Sequence, residues 1–149
     1  MSKQNDHHPA WGPPVSATTL EPRQQLTSPS LMTGCDFRQQ FMVKHPYVSH
    51  FHSYAEYLHA GLLEADHKVI SYVPQPFTLK VNGKRYTPDC YILREKNIRL
   101  VVELKPNGKM DPVLFTHVHQ FLWLHKIVFM VITNEAVLID TAGRYTTQE

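Results

Sequence analysis

Apolar positions recur at helical spacing through "SYAEYLHAGLLEAD", residues 53–66. Leu58, Leu62 and Ala65 line one side, and Ser53 is a good N-cap, so this stretch predicts a helix with one buried stripe. The pattern then changes. "HKVISYVPQPFTLKVNGKRYTPDCYIL", residues 67–93, reads as strands joined by turns, with Asn82-Gly83 as a hairpin signal. "NIRLVVELK" predicts the next strand. Asp111-Pro112 pairs an N-cap acid with a proline at the first helical position, and Leu114, Val118, Phe121, Leu122 and His125 then share one helical face. "IVFMVIT", 127–133, is an unbroken apolar run of the kind found in a central strand covered on both faces, and "AVLID", 136–140, adds an edge strand. The order helix, three strands, helix, strand predicts an α/β fold: a mixed sheet flanked by helices. No internal repeat is visible. Residues 31–52 fit either a helical turn or an irregular lead-in.

Residues 1–30 depart from this patterning. They are rich in Pro, Ser, Gln and Thr, and Pro9, Pro13, Pro14, Pro22 and Pro29 interrupt regular elements. They predict a flexible or loosely docked arm, with Trp11 as an anchor, leaving residues 31–149 as one domain. A chain of 149 residues is long enough for one domain with a real core. With 42% hydrophobic and 19% charged residues it is globular, and a formal charge of +2 neither demands nor excludes a nucleic-acid partner. The two cysteines, Cys35 and Cys90, make no CxxC pair and no disulfide framework, which fits a reducing compartment. No apolar run approaches a membrane span, and the first residues lack a signal-peptide core. The expected location is the cytoplasm.

Chemistry concentrates in "KRYTPDCYILREKNIRLVVELKPNGKMD", residues 84–111. Strand side chains alternate, so Glu103 and Lys105 point one way while Val102 and Leu104 point the other. If Asp89 heads a neighbouring strand, its carboxylate converges with that of Glu103. Two close carboxylates repel and call for a cation; oxygen donors suit Mg²⁺ or Mn²⁺. A lysine beside them can orient a water or stabilise charge developing on a phosphate. A lone Glu-x-Lys would be an ordinary edge-strand pair, with Asp89 in a turn after Pro88. The full pattern of Pro-Asp followed, a strand length later, by Glu-x-Lys is more specific. Glu56 is either the acid of a capping box with Ser53 or a third acid for the site, and Glu64, two turns on, is its rival on spacing alone. The HxH pairs His50/His52 and His117/His119 do not complete a zinc set: on a helix, i and i+2 point to different sides, and there is no cysteine cluster. Cys90 is expected in the core. Lys80, Lys84, Arg85, Arg94, Lys96, Arg99, Lys109 and Lys126 are either phosphate contacts or ordinary solvated charge.

"YTPDCYI" and "LVVELKP" resemble the PD-(D/E)xK nuclease superfamily. Residues 50–140 as a whole look like the N-terminal catalytic domain of TnsA-like transposon endonucleases: Ser53 with Glu56, Asp66 with Val69, Gln75-Pro76, Tyr86 with Pro88-Asp89, and Glu103-Leu104-Lys105-Pro106. The resemblance implies a restriction-endonuclease-like core and Mg²⁺-dependent hydrolysis of DNA, with Mn²⁺ as a substitute. It implies Asp89, Glu103, Glu56 and the Leu104 carbonyl as metal ligands, and Lys105 as the group that positions the attacking water. Gln75, Lys84, Arg85 and Lys109 are the expected DNA contacts. A transposase or other mobile-element protein and a second copy of the chain are possible partners, and no membrane is expected. TnsA-like proteins usually carry a second, C-terminal domain, and this chain ends soon after the nuclease region. The alternative is a non-catalytic DNA-binding or assembly protein on the same fold.

Overall fold

The computed structural model describes residues 13–33, 37–107, 109–134 and 137. Its centre is a four-stranded mixed sheet of β4 (Val69–Pro74), β7 (Cys90–Arg94), β8 (Ile98–Lys105) and β9 (Val128–Thr133), in that order. β4, β7 and β8 run antiparallel, and β8 pairs with β9 in parallel. A parallel partner needs a crossover, which α3 (Pro112–Leu124) supplies. The fold is therefore α/β with a mixed sheet.

Alternation along β7 and β8 divides the core in two. Cys90, Ile92, Val102 and Leu104 pack with Ala55, Ala60 and Leu63 of α2 (Tyr54–Ala65). Tyr91 and Val101 pack on the other face with Val118 and Leu122 of α3. Both helices start where expected. Ser53 Oγ accepts the Glu56 N–H at 3.2 Å, and Asp111 Oδ2 accepts the Leu114 N–H at 2.9 Å with proline beside it in the first turn. The buried stripe of α2 is rotated from the expected one. Ala55, His59, Ala60 and Leu63 are buried, Leu58 and Leu62 only partly, and Ala65 is exposed. Small alanines on the sheet side let the helix approach closely, so the larger leucines flank the contact. His125 lies beyond the end of α3 and is exposed.

Five strands, not three, separate these helices. β5 (Leu79–Val81) and β6 (Lys84–Tyr86) form the hairpin turned by Asn82 and Gly83, both at positive φ, as the tight turn requires. This hairpin leaves the central sheet and forms a separate one with β1 (Val15–Ala17), in the order β1-β5-β6. Part of the proline-rich arm is thus a strand. Val15 is 2% exposed in the core, and the Asn82 N–H bonds the Pro14 carbonyl at 2.7 Å. The short α1 (Pro29–Met32) follows. Trp11 and Cys35 lie outside the described residues. Within 31–52, β2 (Arg38–Phe41) and β3 (Val48–Phe51) pair antiparallel. The apolar run 127–133 does give a strand, but among the described residues β9 ends the sheet and Met130 is 41% exposed. Its apolar character follows from packing on both faces, which does not determine sheet order. Of residues 136–140 only Val137 is described, and it is buried. No described helix is long and apolar enough to cross a membrane.

Candidate active site

Asp89 stands at the head of β7, where the chain leaves Pro88. Its N–H bonds the Val102 carbonyl at 3.1 Å, its carbonyl accepts the Gln75 N–H at 3.0 Å, and its Oδ2 accepts the Leu104 N–H at 2.7 Å. That last bond aims the carboxylate across the end of β8. Two residues of β8 flank Leu104. Glu103 is 6% exposed, with Oε1 accepting the Tyr86 hydroxyl at 2.6 Å and Oε2 3.2 Å from Lys105 Nζ. The Lys105 side chain is 38% exposed, so its ammonium bridges the buried acid and solvent. Glu56 comes from the first turn of α2. Its Oε1 accepts the His52 N–H at 3.2 Å and the Gln75 Nε2 amide at 2.9 Å, and Oε2 lies 3.4 Å from Ser53 Oγ. The capping bond at this helix start is the Glu56 N–H to Ser53 Oγ, while the Glu56 carboxylate itself takes the His52 N–H and the Gln75 amide.

The three acids share one electrostatic environment. Burial pushes the Asp89 carboxyl up to about 8, the charges of Glu103 and Glu56 add to the rise, and the Leu104 N–H and Lys105 oppose it. Burial likewise raises Glu56 to about 7; bonds from His52, Ser53 and Gln75 oppose this, and the Glu103 charge adds to it. Burial and the neighbouring Glu103 carboxylate also push the Tyr86 phenol far up, keeping it a hydrogen-bond donor. Three carboxylates against one lysine leave the pocket short of positive charge. Among the described residues, no three His, Cys, Asp or Glu side chains form a closed metal-binding group.

Glu64, the rival of Glu56, is committed elsewhere: its Oε2 accepts the Lys44 N–H at 3.0 Å and the Tyr72 hydroxyl at 2.8 Å. Gln75 is not a surface contact. It is 5% exposed, its amide nitrogen donates to Glu56 and its Oε1 is buried without a hydrogen-bond partner, so as placed it holds the acid and presents no surface to DNA. Its φ of 41° is a left-handed conformation rare outside glycine. Lys84, Arg85 and Lys109 are exposed. Lys84 and Arg85 share a groove with Tyr86 at the start of α3, while Lys109 lines another with Met110 and Phe115. Cys90 is buried, with its thiol pushed up by burial. His50 Nδ1 and His52 Nε2 both bond Thr27 Oγ1, at 2.9 and 3.1 Å.

Sequence reasoning undervalued Tyr86, Gln75 and the segment 23–27. Arg23 N–H bonds the Pro76 carbonyl at 2.8 Å, and Gln25 N–H bonds that of Gln75 at 2.9 Å. Gln24 pairs with β3 through Val48 and His50. Alternation could have singled out Tyr86, since it opposes Leu79 and so faces inward while Arg85 faces out. The strap had no such signal. A small internal cavity lies behind Glu56 and Asp89, closed by Cys90, Leu104 and the buried His59, whose imidazole pKa burial lowers to about 4. Compared with known proteins, the chain matches no family model and no curated protein.

Proposed function

We propose that the chain is a metal-dependent DNA endonuclease of PD-(D/E)xK type, with a restriction-endonuclease-like core and a TnsA-like catalytic domain, serving a transposon, phage or other mobile element. One observation carries this reading: Gln75 ties Asp89 to Glu56, its N–H on the Asp89 carbonyl at 3.0 Å and its amide on Glu56 at 2.9 Å, while Asp89 Oδ2 takes the Leu104 N–H between Glu103 and Lys105, which are paired at 3.2 Å.

The donors fit a hard divalent cation by type and by charge. Asp89, Glu103, Glu56 and the Leu104 carbonyl are all oxygen ligands, suited to Mg²⁺ or Mn²⁺. A cation held there would supply Lewis-acid polarisation of a phosphate and lower the pKa of a water. Lys105, held by Glu103 and open to solvent, would orient the attacking water and offset charge on the phosphate. Tyr86 and Gln75 hold Glu103 and Glu56 in place. Lys84, Arg85 and Lys109 lie on exposed surface where they neutralise backbone phosphates.

The test is incubation with supercoiled plasmid, branched DNA and linear duplex in Mg²⁺, Mn²⁺ or EDTA, beside Asp89→Ala. Metal-dependent cutting that disappears in the variant supports the reading. Absence of cleavage on every substrate, together with no Mn²⁺ binding by calorimetry, would remove it and leave a DNA-binding or assembly protein.

A further inference from the structure

The three-stranded sheet β1-β5-β6 has a charge pattern that its packing does not explain. Its register places Ser16 opposite Lys80, and Lys80 opposite Arg85, in one row across all three strands. All three residues are exposed. The neighbouring rows are Val15–Val81–Lys84 and Ala17–Leu79–Tyr86, and Val15, Leu79 and Val81 are buried. The Ser16–Lys80–Arg85 row therefore occupies the outer face. Two cations directly opposite each other on antiparallel strands repel. Among the described residues neither Lys80 nor Arg85 makes an ion pair, so nothing there relieves the repulsion.

The row lines a groove of about 540 Å³ whose other walls are polar (Thr18, Thr19, Thr78, Gln25) and apolar (Ala17, Phe77, Leu79), with no acid among them. Arg85 also lines the second groove, with Lys84 and Tyr86, and the Tyr86 hydroxyl is the donor to Glu103. The one acid in that second groove, Asp111, is occupied in capping α3. Arg85 thus stands on the crest between the outer groove and the carboxylates.

We propose that the outer face of β1-β5-β6 is a phosphate tract that takes the sugar-phosphate backbone of a DNA strand through Lys80, Arg85 and the Ser16 hydroxyl, and leads that strand over the β6 edge toward Glu103. Phosphates in the groove neutralise the opposed pair, and contacts of this kind hold the backbone without reading sequence. The tract extends the endonuclease reading, but its charges can be tested without cleavage.

The experiment is fluorescence anisotropy of labelled single-stranded and duplex DNA with the full chain in EDTA, across a salt series, using Lys80→Ala, Lys80→Ala/Arg85→Ala and, as the charge-matched control for the single variant, the exposed Lys68→Ala. The double variant should bind about tenfold more weakly at low salt, with the slope of log affinity against log salt reduced by about one unit per residue removed; the control should match wild type. Thermal denaturation supplies the second arm. Lys80→Gln should melt higher than wild type without DNA, because the repulsion is gone, and should gain less on adding DNA. Affinity within twofold of wild type with an unchanged slope would overturn the tract. So would polyglutamate binding as tightly as DNA with the same loss in the double variant. If the tract holds while no substrate is cut and no Mn²⁺ binds, the endonuclease reading alone fails.

Discussion

Glu103 is the residue through which the site is tied together. One oxygen takes the Tyr86 hydroxyl and the other faces Lys105, so both are engaged while the side chain stays 6% exposed. The two partners should give different phenotypes. Tyr86→Phe removes the donor and leaves a buried carboxylate oxygen short of a bond, a loss of about 1–3 kcal/mol. Thermal melting should drop accordingly, and nicking should be reduced but still measurable. Lys105→Ala takes the cation from the other oxygen of that buried carboxylate, so the melting temperature should fall here as well, but cleavage should be abolished rather than reduced. Wild-type cleavage by Lys105→Ala would end the role given to that ammonium.

At the scale of elements, the strap over residues 23–27 is the feature that joins the N-terminal segment to the site. The two donors to Glu56 Oε1 are the His52 N–H and the Gln75 amide. Thr27 holds the ring of His52, and Gln25 holds the carbonyl of Gln75. Thr27→Val keeps the shape and loses the hydroxyl, so the His52 amide should exchange with solvent faster by roughly the tenfold that one lost hydrogen bond implies. Thr27→Ser should restore protection, and equal exchange in all three proteins would show that the strap does not hold β3 to α2. This coupling was illegible in the sequence because it runs through backbone carbonyls and a threonine, and prolines there suggested only a loose arm. Alternation, by contrast, made the Glu103–Lys105 face readable, and capping chemistry placed both helix starts. Spacing left Glu56 and Glu64 open and the resemblance chose Glu56; the packing adds that Glu64 is taken up by Lys44 and Tyr72. The split of β5-β6 into a second sheet was hidden for a related reason. A hairpin signal identifies the turn but not the sheet that its strands join.

For the whole molecule, the buried acids make stability depend on pH. Asp89 and Glu56 have ordinary values of 3.8 and 4.5, raised by folding to about 8 and about 7. The folded protein therefore keeps protons that the unfolded chain releases. Their contribution to stability is complete below the ordinary values and is lost as pH rises through 7 and 8. The buried histidines act in the opposite sense. Burial lowers His59 to about 4 from 6.5, and lowers His45 and His52, so they favour the fold above the ordinary value and are neutral in both states well beyond it. The window from about pH 7 to about pH 8 therefore reports mainly on the carboxylates, since above it the buried Cys90 thiol, also raised by burial, adds a fall of the same sign. In EDTA the melting temperature should fall across that window, and Asp89→Asn should flatten the fall and melt higher than wild type at its upper end. A cation bound to the ionised acids in the native state alone would reverse the loss, by about 2.7 kcal/mol at a hundred times its dissociation constant. Mg²⁺ or Mn²⁺ should thus restore the wild-type melting temperature most at the alkaline end, where the protons have already gone, and should have little effect on Asp89→Asn. A melting temperature that stays flat from about pH 7 to about pH 8 without metal would show that the two acids are already ionised in the fold, and that Lys105 together with the surrounding N–H donors is enough to hold them so.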